Sequence, residues 1–407
     1  MKSRTRSRLW RLLALLLVFT MIAAACGDDD DDTSASGDDG TSSDDGASGD
    51  DGASGDDGDM MEAPGTTFGD DQTLIDAALS ATGEVTEAPS ITVGYLQWVY
   101  ADEAGKRIED AAKDAVDFFG WGFETCDAGG DPAQMPICGN QLLDKGIDVM
   151  LTDGIPEAFI TDIIERAESE GVPIFSAGGE VDPRDNYLQG LASDDTDLGR
   201  QLALWVAEEF PDGARMLVQT FPAAWSDKRI NGLNEAIDNG ANIEIVDTWE
   251  ADPTNMVDGT AQDVTNKITQ FGDIDVVWIN FSVASIGAAQ AIGAIDEADR
   301  PALVTFYANP GTLTDIREGR LTAAVDEKLE WQSWGNVDAV AQLLARDEQP
   351  SQERAPDYGG LNFSSRQVIT ADNLPPEGEI VPAPPPGSYE DFFKTKWCNE
   401  FTGVAGC

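Results

Sequence analysis

Apolar and polar residues follow two different spacings along most of this chain. Short apolar runs such as 91–96, 148–151 and 173–176 predict buried strands. Between these runs, apolar residues recur every three or four positions and predict amphipathic helices, as at 104–119 and 159–170. A regular alternation of strands and helices predicts parallel sheets that are covered by helices.

The alternation continues to residue 344 in two successive runs, which predicts an α/β fold of two doubly wound parallel-sheet lobes. Glycine follows six of the helical segments, at a position typical of a left-handed helix C-cap. Further strands are predicted at 121–124, 215–219, 243–249, 275–279, 303–306 and 321–325, and further helices at 133–145, 196–209, 226–238, 257–271, 283–295, 312–318 and 331–344.

The N-terminus has the pattern of an export signal. Five basic residues precede an apolar run at 12–25, which is shorter than the ~20 residues that a bilayer-spanning helix needs. The run ends in Ala-Ala-Ala-Cys at 23–26 and resembles a bacterial lipoprotein signal, in which Cys26 becomes the lipidated N-terminus of the mature protein. The alternative is an ordinary cleaved signal at 1–25 followed by an incidental cysteine.

Acidic low-complexity sequence follows the signal. Residues 27–62 hold 15 acidic side chains and no basic one, with Asp pairs that recur every six residues beside Gly and Ser. A calcium-binding repeat is one interpretation, but this segment lacks the large apolar residues of ordered repeats. Like charges, Gly and Ser cannot form a core, so we predict a disordered linker over 26–87.

Charge and composition exclude several classes of function. The chain has 407 residues, a net charge of −51 and no histidine, and the part beyond residue 62 keeps a net charge of −41. Such an excess of acid excludes a nucleic-acid-binding protein, since no basic patch could outweigh it near phosphates. The absence of histidine excludes His-based catalytic triads and most catalytic zinc sites. We therefore expect neither a metal nor a cofactor.

Four cysteines remain after Cys26 and support export, because disulfides form in oxidising compartments. They allow three pairings, of which the nearest-neighbour choice is Cys126–Cys138 with Cys398–Cys407. A four-cysteine zinc site is the alternative, although no Cys-x-x-Cys spacing occurs.

A series of short motifs connects the chain to a known family. They lie at 91–94, 109–112, 130–134, 145–149, 170–174, 193–195, 199–200, 286–289 and 318–321, with Arg229 and Gly232 between them. Their order and spacing over about 88–370 resemble periplasmic sugar-binding proteins of the ribose-binding type, the substrate-binding components of ABC transporters.

The resemblance implies the type I periplasmic-binding-protein fold, in which three hinge crossings join two lobes. Mapped onto this sequence, the crossings fall near Ala192, Lys328 and Asn362. The corresponding domains are an N-terminal lobe at 88–192 plus 329–362 and a C-terminal lobe at 193–328 plus 363–374. A Pro-rich extension at 375–407 follows, and its residues 389–396 predict a terminal helix.

The candidate ligand-binding residues depart from the sugar-binding pattern. Sugar-binding relatives carry Asp-Arg where this chain has Gly178 and Gly179. They carry Asn-Asp where it has Phe281 and Ser282, and Asp where it has Tyr307. Buried sugar hydroxyls need fixed polar partners, so these losses argue against a simple pyranose. Arg229 remains at a position that resembles the family's ligand-binding arginine.

Aromatic residues instead collect at loops that follow strands: Trp98, Tyr100, Trp225, Phe281, Tyr307 and Trp331. Such side chains stack on sugars or hold cations, and the alternative for each is core or hinge packing. Asp153 and Glu330 are acids at similar loops and are either ligand groups or helix caps. Arg229 either binds ligand or forms a salt bridge between the lobes.

The function that the resemblance implies is capture without chemistry of a small molecule, sugar-like or other, between two closing lobes. A monomer, lipid-anchored to the outer face of the bacterial cytoplasmic membrane, would deliver this ligand to an ABC permease. One alternative is a sensor domain that presents its bound ligand to a signalling receptor. A carboxylate-based hydrolase is a more distant alternative, because glycoside hydrolysis needs no histidine.

Overall fold

The computed structural model describes residues 85–182, 184, 186–191, 193–350, 368–380 and 389–407. All of them belong to the second of the two units into which the chain divides, Met60–Cys407. The predicted signal at 1–25, the lipidation site Cys26, most of the predicted linker, and the hinge positions Ala192 and Asn362 lie outside the described residues.

A five-stranded parallel sheet forms the N-terminal lobe, with its strands in the order β3-β2-β4-β5-β6. The elements in chain order are β1 (Thr86–Glu87), β2 (Thr92–Gln97), α1 (Glu103–Phe119), β3 (Gly122–Asp127), α2 (Met135–Asp144), β4 (Val149–Asp153), α3 (Glu157–Glu170), β5 (Ile174–Ala177) and β6 (Tyr187–Leu188).

Helix α1 shows how the sequence sets the ends of these elements. The Asp102 side chain accepts a hydrogen bond from the backbone N–H of Gly105 (3.1 Å) and so caps the helix. Gly120 ends the helix in the left-handed conformation, with φ at +79°. The apolar face between these caps packs into the core through residues such as Ile108 and Val116, which fixes the helix against the sheet.

A six-stranded sheet forms the C-terminal lobe, in the order β12-β11-β10-β9-β7-β8. Its strands are parallel except β12, which pairs antiparallel with β11. The elements are α4 (Asp195–Glu209), β7 (Ala214–Thr220), α5 (Ala224–Asp238), β8 (Ile243–Glu250), α6 (Met256–Phe271), β9 (Val276–Trp278), α7 (Ser282–Gly293), a 3₁₀ turn (Glu297–Asp299), β10 (Ala302–Phe306), α8 (Pro310–Arg317), β11 (Ala323–Val325), α9 (Leu329–Arg346) and β12 (Val368–Ile369).

The predicted α/β fold class with two parallel-sheet lobes is confirmed. The chain leaves the C-terminal sheet after β11, passes through 326–328, where a hinge crossing is predicted at Lys328, and enters α9. Helix α9 returns to the N-terminal lobe, where it packs on α1 and β5.

Helices α4 and α5 approach each other closely because both carry glycine at their contact. A Cβ atom at Gly232 would lie 1.9 Å from the carbonyl oxygen of Thr196, and one at Gly199 would lie 2.1 Å from that of Arg229. Any larger residue would push the helices apart. The contact brings Arg229 on α5 beside Asp195 at the start of α4.

The C-terminal segment is a folded part of the N-terminal lobe. The terminal helix predicted at 389–396 within the Pro-rich extension is confirmed as α10 (Tyr389–Glu400), which β13 (Phe401–Thr402) follows. Strand β13 pairs with β1, so Thr86–Glu87 is a strand and not the end of the predicted linker. The physical reason is aromatic burial: Trp397 is fully buried and stacks on Trp334 at 5.1 Å between ring centroids.

Disulfides join Cys126 to Cys138 and Cys398 to Cys407 in the structure, which is the nearest-neighbour pairing. The first ties β3 to α2, and the second closes the chain end onto α10. Among the residues that the structure describes, no helix combines the length and apolar character that crossing a membrane requires.

Substituting Trp397→Ala should lower the free energy of unfolding by about 3–5 kcal/mol, because it empties a buried aromatic site. The substitution also removes the hydrogen bond from the indole Nε1 to Asp338 (2.8 Å). Chemical denaturation of the purified chain measures the change, with Thr395→Ala as the control at an exposed position of the same helix. If the two substitutions lowered the free energy of unfolding equally, the result would contradict the burial of Trp397 in a folded C-terminal segment.

Candidate ligand-binding site

A cavity lies where the carboxyl ends of strands from both sheets face each other. This is the position at which open α/β sheets bind their ligands. Residues from both lobes line it: Trp98, Val99, Asp102, Ala104, Gly105, Ile108, Asp153, Gly154 and Gly178 from the N-terminal lobe, and Trp225, Met256, Phe281, Ser282, Val283 and Tyr307 from the C-terminal lobe.

The N-terminal wall is organised around the carboxylate of Asp153 at the end of β4. It accepts hydrogen bonds from the backbone N–H of Trp98 (2.8 Å) and from Nε2 of Gln97 (2.9 Å). Helix α1 begins directly against this group, since a Cβ atom at Gly105 would lie 3.0 Å from the Asp153 carboxylate and 2.8 Å from the backbone carbonyl oxygen of Val99. Only glycine fits there, so the first turn of α1 forms part of the cavity wall.

Burial raises the pKa of both carboxyls in this wall. Asp102 has its pKa raised from 3.8 to about 6, with burial as the largest cause and the backbone N–H of Gly105 acting in the opposite direction. Burial also raises the pKa of Asp153 well above its ordinary value, against the hydrogen bond from the N–H of Trp98. A nearby positive charge would therefore stabilise the ionised form of each group.

The C-terminal wall is aromatic. Phe221, which follows β7, packs on Trp225 at 5.4 Å in a stacked arrangement and on Phe281 at 4.9 Å edge to face. It also meets Trp98 of the other lobe, with 5.5 Å between ring centroids. The rings thus form one cluster across the cleft, a geometry that contributes energy beyond simple area burial.

Arg229 lies behind this wall, fully buried, and does not line the cavity. It donates to the Asp195 carboxylate (2.6 Å), the Glu327 carboxylate (2.9 Å), the Asn280 carbonyl (2.6 Å) and the Tyr307 hydroxyl (2.9 Å). A buried guanidinium needs such partners, because an unpaired buried charge costs several kcal/mol. Asp195 and Glu327 belong to the same lobe as Arg229, so Arg229 forms ion pairs within the C-terminal lobe and not the predicted salt bridge between the lobes.

The lobes touch each other through hydrogen bonds around the cavity. Tyr307 donates its hydroxyl to the Gly178 carbonyl (3.0 Å), and Trp225 donates Nε1 to the Gly154 carbonyl (3.1 Å). A third contact joins the first turn of α1 to the start of α8, where Glu103 accepts a hydrogen bond from the backbone N–H of Gly311 (2.7 Å). These contacts describe a cleft whose walls have met.

Six of the residues predicted at the site line the cavity together: Trp98, Asp153, Gly178, Trp225, Phe281 and Tyr307. Gly179 lies beside them, where a Cβ atom would come within 2.7 Å of the Trp225 ring.

Three other predicted residues are placed elsewhere. Tyr100 is 37% exposed and bonds through its hydroxyl to Lys106 and Asp110 on the outer surface of α1. Glu330 forms a two-pronged ion pair with Arg107 (2.6 and 2.8 Å). Burial acts to raise the pKa of Glu330, but Arg107 holds it below its ordinary value. Trp331 packs on the aromatic face of α10 instead of the cavity.

Sequence reasoning missed the residues contributed by the first turns of helices, among them Asp102, Gly105 and Met256. A usable signal was present for Asp102, since an Asp before a helical pattern and after a strand marks both an N-cap and a strand-end loop. For Met256 the sequence offers no such signal.

The ion-pair network predicts a pH dependence of stability. Burial, and next the Asp195 carboxylate, raises the pKa of Glu327 from 4.5 to about 8. The native state therefore holds this proton more tightly than the unfolded chain, and the resulting stability is complete below about pH 4.5 and lost as pH rises through about 8. Glu327→Gln mimics the protonated group and keeps an acceptor for Arg229. The free energy of unfolding of Glu327→Gln should therefore rise relative to that of the wild type as the pH increases from about 4.5 to about 8.

Urea denaturation at a series of pH values measures the difference, with Glu297→Gln as the control because Glu297 is exposed. The control curve should run parallel to the wild-type curve. A parallel curve for Glu327→Gln would contradict the raised pKa.

Comparison with known proteins agrees with this architecture. The family model described as periplasmic binding protein domain matches residues 92–348. The chain is 20% identical over 197 residues to the fructose import binding protein FruE of Bifidobacterium longum, covering 46% of this chain and 59% of that protein. It is 22% identical over 206 residues to the ribose import binding protein RbsB of Bacillus subtilis, covering 50% and 65%. The chain thus spans less than two thirds of the length of these two relatives.

Among solved structures, the myo-inositol binding protein of Caulobacter, crystallised with myo-inositol, has the same fold. The TM-score is 0.60 at 19% identity, and the match covers 72% of this chain and 97% of that one. The family match extends over more than half of the sequence and over both lobes. The resemblance inferred from the motifs is confirmed, and the chain belongs to the periplasmic binding protein family.

Proposed function

We propose that this protein captures a small solute between its two lobes and delivers it to the permease of an ABC transporter. The observation that carries the proposal is the cavity between the lobes, which both sheets line with residues at their strand ends. The relatives named for fructose and ribose import support uptake as the process.

Closure of the lobes is the proposed mechanism. A solute that contacts Trp98 on one wall and Phe281 on the other favours the state in which the walls meet. The hydrogen bonds from Tyr307 to Gly178 and from Trp225 to Gly154 join the two lobes and then help to hold this state. The solute would leave chemically unchanged, so the protein acts as a carrier and not as an enzyme.

The proposed location follows from the N-terminal sequence. The signal at 1–25 would direct export, and lipidation of Cys26 would attach a monomer to the outer face of the cytoplasmic membrane. The acidic segment 27–62 would then act as a spacer, because its like charges repel each other.

A ligand screen tests the proposal on the full-length chain. A panel of pentoses, hexoses, polyols, amines, quaternary ammonium compounds and aromatic acids is scanned for an increase in melting temperature, since a ligand that binds only the native state stabilises it. We expect saturable stabilisation by at least one compound. Substituting Trp98→Ala should weaken that binding about tenfold or more, because it removes a large aromatic contact from the cavity wall.

Trp205→Ala is the matched control, because Trp205 lies on α4 and does not line the cavity. Its affinity should equal that of the wild type. The proposal fails if no compound class stabilises the chain, or if Trp98→Ala and Trp205→Ala bind the hit equally well.

A further inference from the structure

The ionisable side chains that line the cavity include two acids and no base. Asp102 and Asp153 contribute carboxylates, and Tyr307 contributes a hydroxyl that already accepts from Arg229 and donates to Gly178. In the described part of the chain, neither lysine nor arginine lines this cavity.

The basic side chains nearby are paired with other acids. Arg229 bonds to Asp195 and Glu327, and both of those carboxylates are fully buried with it. On α1, Arg107 bonds to Glu330 and Lys106 bonds to Asp110. Across the described residues, the ion pairs include neither Asp102 nor Asp153. Two carboxylates of the cavity wall thus lack a compensating positive charge, and bound solute could supply it.

The rest of the lining favours a solute with few hydroxyl groups. Trp98, Trp225 and Phe281 give the wall its aromatic character, and Ser282 adds a hydroxyl-bearing side chain. A polyol with a hydroxyl on every carbon would leave several of them without partners here, which is costly in a closed site. Aromatic rings attract cations through their quadrupole, most strongly those of Trp.

One buried donor indicates where a solute oxygen would lie. The indole Nε1 of Trp98 is buried without a hydrogen-bond partner, and the residue is 92% shielded from solvent. Trp225, by contrast, satisfies its Nε1 at the Gly154 carbonyl. An acceptor oxygen on the solute would remove the cost of the unpaired Trp98 donor.

Together these observations point to a ligand class. We infer that the solute is a small organic cation, an amine or a quaternary ammonium compound, with an apolar body and an oxygen that accepts a hydrogen bond. This inference rests on the proposed capture of a solute in the same cavity. Asp102 and Asp153 balance the positive charge, the aromatic residues contact the apolar body, and Trp98 donates to the oxygen.

Choline and its neutral isostere, in which a tert-butyl group replaces the trimethylammonium group, provide the decisive probes. They share shape and hydroxyl and differ in charge. Isothermal titration of the full-length chain should give choline an affinity at least about tenfold above that of the isostere, and also above those of myo-inositol, ribose and fructose. Asp102→Asn should weaken choline binding about tenfold, while it preserves the helix cap because Asn is also a good capping residue.

Asp153→Asn is the second variant, and Gln97 can adapt to it because its Oε1 has no partner in the native structure. Asp131→Asn is the matched control on the same lobe, since Asp131 is exposed and its side chain only accepts from the N–H of Ala133. Its choline affinity should equal that of the wild type. Melting temperatures of all three variants show whether each is folded.

The outcomes separate the two proposals. A preference of the wild type for choline over its isostere, together with a weaker choline affinity in Asp102→Asn, supports the inference. Tight binding of a sugar or polyol with no preference for choline over its isostere overturns the inference and leaves the proposed capture standing. Equal choline affinity in the wild type and in folded Asp102→Asn and Asp153→Asn overturns it as well. Absence of binding by all five probes and by the wider panel overturns both proposals.

Discussion

The rest of the site depends on the burial of one charge, the guanidinium of Arg229. A fully buried guanidinium is tolerated only with partners on its N–H groups. These partners come from four parts of the chain: Asp195 at the start of α4, Asn280 after β9, Tyr307 after β10 and Glu327 before α9. Because an unpaired buried charge is so costly, these segments hold fixed positions relative to one another. Glycines on α4 and α5 permit the close helix contact that the pairing with Asp195 requires.

The same network also determines what remains available in the cleft. Arg229 forms ion pairs with Asp195 and Glu327. Its guanidinium lies 4.8 Å from the Trp225 ring centre, behind the residues that line the cavity. Tyr307 extends the network to the carbonyl of Gly178 on the other lobe. The solute therefore meets aromatic rings and the carboxylates of Asp102 and Asp153, while the nearby positive charge is already neutralised.

Much of the fold could be predicted from the sequence, and the omissions share a cause. Long helices such as α1 and α3 have enough turns for their apolar spacing to stand out, and the buried strands of both sheets are continuous apolar runs. The strands that were missed, β1, β6, β12 and β13, have two residues each, too few for any periodicity. Their pairing is decided by neighbours distant in sequence, as when Thr86 meets Phe401. The packing of α10 on Trp334 and Phe119 belongs to the same class of long-range contacts.

The sequence by itself determined the α/β class, the two lobes and six of the residues that line the cavity, because strand-end loops of parallel sheets can be located from hydrophobic spacing. The family followed from the resemblance of its motifs. Tertiary structure decided which of the remaining polar and aromatic residues reach the cavity. Arg229, Glu330, Trp331 and Tyr100 all lie at or near loop ends in sequence, yet ion pairs and aromatic packing draw each of them elsewhere. The physical reason is that charge pairing and ring packing depend on partners that hydrophobic spacing does not specify. These partners range from Asp110, 10 residues from Tyr100, to Arg107, 223 residues from Glu330, and only the folded chain brings them within a few ångströms.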